Sequence, residues 1–193
     1  MIRVAAPADR EHVIEILTAS FNANPAVNDT VVPGPGRELK MRGLMEYLVD
    51  TAFSKKGVYI TDDRSGAILM YDPVVHPNTF SDTFRQLRLV NRCIGWSRLN
   101  YISSKDKKMR AFRPDAPHYY LSMIGTLPSA QGKGIGSQMI SFIQDLAKKE
   151  SKSIYLETSV PKNVEMYLRK GFVTHGEWKI REDYKVRFMK WAK

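Results

Sequence analysis

The stretch Gln131-Gly132-Lys133-Gly134-Ile135-Gly136 lies between two segments of different periodicity. The segment before it, His118 to Thr126, is typical of a buried strand and is followed by a short turn that contains Pro128. After the glycines, apolar residues recur at helical spacing as far as about Glu150, at Ile135, Met139, Phe142, Ile143 and Leu146. The sequence therefore predicts a strand, a glycine-rich turn and an amphipathic helix, in that order.

A helix that begins with glycines is suited to bind an anion. The first amides of a helix have no intrahelical partner, and the helix dipole is positive there. Glycine lets a ligand approach these amides closely, and phosphate is the obvious candidate. Glycines that serve only helix packing would give the same pattern. Neither the Walker A loop nor the dinucleotide fingerprint fits, because Lys133 falls between glycines and only two of three fingerprint glycines can be placed.

The chain resembles the GNAT acetyltransferases in two separate motifs. Gln131-x-x-Gly134-x-Gly136 matches the Gln/Arg-x-x-Gly-x-Gly/Ala signature of the pyrophosphate loop in that family. Tyr167-Leu168-Arg169-Lys170-Gly171-Phe172 matches its Tyr-x-x-x-Gly-Phe motif and follows in the expected order. The resemblance covers roughly His118 to Trp178, whereas the N-terminal half carries no sharp motif.

This resemblance implies an α/β GNAT fold: a mixed, mostly antiparallel sheet, flanked by helices, whose fourth and fifth strands are splayed. We expect one N-acetyltransferase domain over residues 1–193, with a helical insertion at about 78–113 before the fourth strand. Within this insertion, Phe80 to about Ile102 is expected to be helical, with a break or kink at Gly95, and to cover the acceptor side. Cys93 is expected to pack in the interior.

The resemblance implies acetyl-CoA as co-substrate and no metal. In the family, backbone groups near the end of the fourth strand contact the coenzyme, which points here to Ile124, Gly125 and Thr126. The pyrophosphate loop points to a second set: Gln131, Gly132, Lys133, Gly134, Ile135, Gly136 and Ser137. Many members carry a coenzyme-contacting asparagine seven residues before the motif tyrosine; Val160 stands there, and Asn163 is the substitute candidate.

Glu157 and Tyr167 are the candidate catalytic residues. Glu157 is a carboxylate in the middle of an apolar strand, where burial would raise its proton affinity; pairing with a nearby Lys or Arg is the alternative. The resemblance implies that Glu157 takes the proton of the amine and that Tyr167 protonates the leaving thiolate. His118 is the second candidate base, because it points from the neighbouring strand. Strand alternation predicts that His118, Tyr120, Ser122 and Ile124 share one face.

Composition limits the binding partners and the cellular location that the sequence is compatible with. The net charge is +10, and residues 85–113 hold nine basic residues and one acid. Three interpretations of this segment are open: a solvated helix face, a surface that attracts an anionic ligand such as coenzyme A, or a nucleic-acid-binding site. The sequence has no helix-turn-helix, zinc-finger or aromatic RNA-binding signature to support nucleic-acid binding. No apolar run is long enough to span a membrane. The one cysteine, Cys93, is compatible with a reducing, cytoplasmic location.

The sequence thus predicts an acyltransferase, an acetyl-CoA-dependent N-acetyltransferase that acts on a primary amine of a small molecule. Direct attack is expected, since no cysteine is placed to carry the acyl group. A protein or peptide N-acetyltransferase, a coenzyme-binding fold without catalysis and a basic nucleic-acid-binding module are the alternatives. The Trp178–Trp191 region offers a surface for a homodimer.

Overall fold

The computed structural model describes residues 1–31, 34–74, 86, 87, 89–113 and 116–192. Within these residues the chain forms one seven-stranded sheet in the order β1-β2-β3-β4-β5-β7-β6. The strands are β1 (Ile2–Val4), β2 (Val58–Thr61), β3 (Gly66–Tyr71), β4 (His118–Thr126), β5 (Ser153–Thr158), β6 (Val173–Arg181) and β7 (Tyr184–Trp191). Strands β4 and β5 are parallel, and the other neighbouring pairs are antiparallel. This is the predicted GNAT sheet.

Six α-helices accompany the described strands. They are α1 (Arg10–Phe21), α2 (Pro25–Thr30), α3 (Arg37–Ser54), α4 (Leu99–Arg110), α5 (Ile135–Lys149) and α6 (Pro161–Arg169). Residues 22–36 contain three prolines and two glycines, a composition that favours a loop, but Pro25–Thr30 form helix α2. The helix forms because the Asn24 side chain accepts a hydrogen bond from the Ala26 amide at 2.9 Å and Pro25 suits the first helical turn.

The sheet has helices on both faces. On one face, α1 and α3 pack on β3 through a core that includes Leu17, Met45 and Leu69. On the opposite face, α5 and α6 pack on β4 and β5 through a core that includes Ile143 and Leu156. Because side chains alternate along a strand, β5 contributes to cores on both faces.

A β-bulge interrupts β4 at Ser122. On the neighbouring strand, Leu69 pairs with Met123 whereas Met70 pairs with Leu121, so Ser122 is the extra residue. The extra residue reverses which face the later side chains occupy. Leu121 belongs to the core under α5, Met123 to the core under α1, and Ile124 packs on the α5 side. The prediction that His118, Tyr120 and Ile124 share a face is therefore wrong for Ile124.

Strands β4 and β5 separate at this bulge. Their pairing runs from His118 opposite Ser153 to Leu121 opposite Leu156 and does not continue through the described residues beyond. Strand β3 stays paired with β4 as far as Thr126, and β7 stays paired with β5 as far as Thr158. Each strand is thus held on its outer side while the two diverge, which confirms the predicted splay.

The insertion before β4 contains a break at Gly95. A short turn of π-type geometry, Val90–Ile94, ends there, because Gly95 has φ +82°. Helix α4 follows and continues to Arg110, beyond the predicted end near Ile102. Phe80, Phe84 and His76 lie outside the described residues. Cys93 is buried as predicted, and a Cβ on Gly43 of α3 would lie 2.6 Å from its Sγ atom.

Candidate active site

The glycine-rich turn leads directly into α5. Gly132 and Gly134 have φ +79° and +78°, and the space where a Cβ would stand is open to 4 Å at both. Backbone conformation, rather than tight packing, therefore requires these two glycines. The first helical hydrogen bond is donated by the Gln138 amide to the Gly134 carbonyl at 3.0 Å. The preceding amides have no intrahelical partner and are available to an anion, which fits the coenzyme pyrophosphate.

The predicted coenzyme residues fall into three structural groups. Gln131, Gly132 and Lys133 are exposed, whereas Ile135 and Ser137 are half-buried in the first turn of α5. Ile124, Gly125 and Thr126 form the end of β4, beyond the point where β5 diverges. Asn163 is half-buried in the first turn of α6, where its amide donates to the Val160 carbonyl at 3.0 Å.

Helix α1 supports the end of β4. A Cβ on Gly125 would lie 2.9 Å from Ser20 Oγ and 3.1 Å from Leu17 Cδ2, so glycine permits close packing of the helix on the strand. The Thr126 amide donates to Ser20 Oγ at 3.3 Å. These contacts hold the β4 backbone beside the gap that separates it from β5.

Glu157 lies on β5 at the start of this gap and is paired. Its Oε1 accepts hydrogen bonds from Arg113 Nε at 3.2 Å and from Arg113 Nη2 at 3.1 Å, and its Oε2 accepts one from Tyr120 Oη at 3.1 Å. The side chains of Glu157 and Arg113 are 8% and 15% exposed. In the structure Glu157 is therefore ion-paired, as the alternative interpretation of this residue expected. Its partner, Arg113, lies at the end of the insertion.

Arg113 and Tyr120 are both hydrogen-bond donors to Glu157, and they also contact each other. The Arg113 guanidinium lies 3.9 Å from the centre of the Tyr120 ring. Burial acts to lower the pKa of Arg113, but the neighbouring Tyr120 and Glu157 outweigh it and raise that pKa. Burial, with the charge of Glu157, raises the pKa of Tyr120 well above its ordinary value. Both groups keep their protons and donate them in hydrogen bonds to the carboxylate.

A row of tyrosines crosses the sheet next to Glu157. Tyr71, Tyr120 and Tyr155 are opposite one another on β3, β4 and β5, with ring centres 5.8 Å and 6.3 Å apart along the row. His118 lies at the closed end of the β4–β5 pair, opposite Ser153, and its Nδ1 is 2.9 Å from the Ala116 carbonyl. It is therefore roughly 13 Å along β4 from the bulge.

Tyr167 lies on the face of the sheet opposite Glu157. Its side chain is buried in the core under α5, with its ring centre 5.2 Å from that of Phe172. Burial raises the pKa of Tyr167, so the phenol stays protonated at neutral pH. Helix α6 lies beside the glycine loop, since Met166 Sδ is 3.9 Å from the position of a Cβ on Gly136.

Three features of this site have no signal in the sequence: Arg113 as the partner of Glu157, the Tyr120 hydroxyl as its second donor, and the bulge at Ser122. Arg113 and Glu157 are 44 residues apart, and Arg113 is one of nine basic residues in the segment 85–113. Local patterning therefore cannot pair them.

A splayed parallel strand pair beside a glycine-rich helix start is the arrangement that the resemblance to the GNAT acetyltransferases implies. The model of the acetyltransferase (GNAT) family matches residues 76–172, just over half of the chain, and the chain belongs to this family. Acetyl-CoA is the acyl donor expected for the family.

Solved structures share the fold over nearly the whole chain. A Corynebacterium glutamicum protein described as histone acetyltransferase HPA2 and related acetyltransferase is 24% identical, with a TM-score of 0.72 over 100% of this chain and 95% of that one. Arylalkylamine N-acetyltransferase 2 from Aedes aegypti is 16% identical, with a TM-score of 0.67 over 100% and 98%. The C-terminal condensation domain of Ebony, in complex with β-alanyl-dopamine, is 13% identical, with a TM-score of 0.71 over 98% and 97%. At these identities the likeness shows the fold alone.

None of the helices in the described part of the chain is both long and apolar enough to cross a membrane.

Proposed function

We propose that this chain transfers the acetyl group of acetyl-CoA to a primary amine of a small molecule, which attacks the thioester directly. The observation that carries the proposal is the separation of β4 and β5 after Leu121 and Leu156, beside a glycine loop with free helical amides. Glu157 lies at the start of that gap on one face of the sheet, and Tyr167 lies in the core on the other face.

The donor would be held mainly by backbone groups. The amides at the start of α5 would bind the pyrophosphate, and the edge of β4 from Ser122 to Gly125, which β5 leaves unpaired, would pair with the pantetheine arm. A strand edge can donate to the thioester carbonyl and stabilise the negative charge that develops on it. Because α1 and β3 hold this edge in place, it is already oriented when the substrates arrive.

Proton transfer would use the side chains of Glu157 and Tyr167. Glu157 Oε2 accepts a hydrogen bond from Tyr120 alone among the described residues, so it keeps a lone pair for the amine or an intervening water. The two hydrogen bonds from Arg113 to Oε1 fix the orientation of the Glu157 carboxylate and leave Oε2 toward Tyr120. Tyr167, protonated at neutral pH, would donate to the departing thiolate.

The insertion favours a small acceptor over a peptide. After α4 ends, Phe112 stacks on Phe188 of β7 at 4.0 Å between ring centres, and it lies 2.9 Å from the position of a Cβ on Gly176. Arg113 follows directly and reaches Glu157. The chain therefore covers the acceptor side of the sheet beside the proposed base, where an extended peptide would need an open groove. Two of the structures with this fold, at 16% and 10% identity, are described as arylalkylamine and polyamine N-acetyltransferases.

Four of the nine basic residues of the insertion have polar or charged partners within the described part of the chain. Arg98 donates to the Asp29 carbonyl at 2.7 Å, Lys105 and Arg113 pair with buried carboxylates, and Arg110 pairs with an exposed one. Because these four cations already have partners within the chain, they favour the enzyme over a nucleic-acid-binding module.

The test has two parts: binding of acetyl-CoA, and turnover of a panel of amines and peptides. Turnover is measured through the release of the free coenzyme thiol. In an active pairing, Glu157→Gln should lower kcat about 10²–10⁴-fold, the range for loss of a general base, while acetyl-CoA still raises the melting temperature. Glu165→Gln, an exposed carboxylate on α6, is the matched control and should keep kcat. Unchanged kcat in both Glu157→Gln and Tyr167→Phe would overturn the assigned roles. Turnover of peptides alone would select the peptide alternative.

A further inference from the structure

A cavity of 630 Å³ opens between α5 and the end of α6, next to the glycine loop. Gly134, Ser137 and Gln138 line it at the start of α5, and Ser141 and Phe142 line it one turn further on. Lys170 lines it from the residue after α6. The cavity therefore continues from the proposed pyrophosphate site along the surface of the helix.

Lys170 places an uncompensated positive charge in this cavity. Its Nζ lies 3.0 Å from Ser141 Oγ, a neutral partner, and it has no carboxylate within ion-pair distance in the described part of the chain. Asp145, which also lines the cavity, pairs instead with Lys148 at 3.3 Å. The Lys170 backbone is fixed independently, because its carbonyl accepts a hydrogen bond from Gln144 Nε2 at 2.7 Å.

A lysine with a neutral hydroxyl partner in an open cavity is suited to a phosphate, since both groups can donate to its oxygens. Ser141 lies seven residues after Gly134, which is about 10 Å along the helix axis. A second phosphate of the same ligand can therefore reach Lys170 while the first rests on the glycine loop. Coenzyme A has such a group, the 3′-phosphate of its ribose, beside an adenine base that Phe142 can contact.

We propose that Lys170 and Ser141 bind the 3′-phosphate of coenzyme A and make the chain select coenzyme A over 3′-dephospho-coenzyme A. This inference rests on the proposed function, because it assumes the pyrophosphate on the glycine loop. A charge-assisted hydrogen bond to the phosphate corresponds to a preference of at least about tenfold.

The experiment measures binding of both coenzymes by titration calorimetry at fixed salt. The proteins are the wild type, Lys170→Met, Lys170→Arg and the control Lys149→Met, an exposed lysine at the end of α5 that does not line the cavity. We expect Lys170→Met to weaken coenzyme A about tenfold and to leave the 3′-dephospho form unchanged, so that the preference disappears. Lys170→Arg should largely keep the preference, and Lys149→Met should keep it fully.

Two results would overturn the inference in different ways. If the wild type binds both coenzymes equally, or if Lys170→Met weakens both by the same factor, the 3′-phosphate does not lie on Lys170, although coenzyme binding itself stands. If the wild type binds neither coenzyme at millimolar concentration, the proposed function fails together with the inference.

Discussion

Replacing Asp29 by Asn should destabilise the protein strongly, because this carboxylate joins three distant parts of the chain. Asp29 lies on α2, and its side chain is 1% exposed. It accepts hydrogen bonds from Lys105 and Tyr101 of α4, at 2.5 Å and 2.9 Å to Oδ2, and from Arg181 at the end of β6. The Asn variant removes the negative charge and replaces one acceptor oxygen with an NH₂ donor facing other donors.

The expected loss in the free energy of unfolding follows from Lys105, the cation that the substitution leaves without its partner. Lys105 is only 9% exposed, and removing one partner of a buried ion pair costs about 3–5 kcal/mol. Arg181 is half exposed and also pairs with Asp183, so it adds little. For a chain of this size, about 3 kcal/mol corresponds to a fall in melting temperature of roughly 6–12 °C.

The assay is urea unfolding of the wild type, Asp29→Asn and the control Asp106→Asn, at pH 7 and in acid. Asp106 lies on α4 in an exposed pair with Arg110, so its replacement should cost about 0.5 kcal/mol or less. Burial acts to raise the pKa of Asp29, but the hydrogen bonds from Lys105 and Arg181 outweigh it and lower that pKa. The stabilisation is then present above the unfolded value of about 3.9 and is lost as pH falls through the lower folded value. A loss below about 1 kcal/mol at pH 7, or a gap that stays constant in acid, would refute this reasoning.

Two further predictions concern glycines. Gly134→Ala should destabilise the protein by about 1–2 kcal/mol because of its positive φ, whereas Gly136→Ala, inside α5 with its nearest neighbour at 3.9 Å, should be neutral or stabilising by up to about 1 kcal/mol. Denaturant midpoints that move in the same direction for both would contradict this. Gly125→Ala should lower the free energy of unfolding by about 1–3 kcal/mol, because the added Cβ meets Ser20. The double variant Gly125→Ala with Ser20→Gly should recover part of this loss, and no recovery would count against the contact.

Much of the fold can be predicted from the sequence, because the relevant signals are local. The strand predicted at His118–Thr126 and the helix predicted from the glycines to about Glu150 have close to those bounds in the structure. The break at Gly95 is equally local, since its positive φ favours glycine. Helix α2 was missed because its signal is short: a capping Asn24 and Pro25 within a segment otherwise rich in loop residues.

The active-site region likewise has features that local sequence determines and features that only tertiary contacts determine. Strand alternation, helical periodicity and the glycine loop depend on neighbours within a few residues, so the sequence by itself determined the strand–turn–helix unit and the family. The tertiary structure alone decided the partners of Glu157, the bulge at Ser122 and the buried Asp29 cluster, which join residues 37 to 152 positions apart. A bulge depends on how many residues two strands place opposite each other, and a buried ion pair depends on which elements meet. Neither property is contained in the pattern of a single segment.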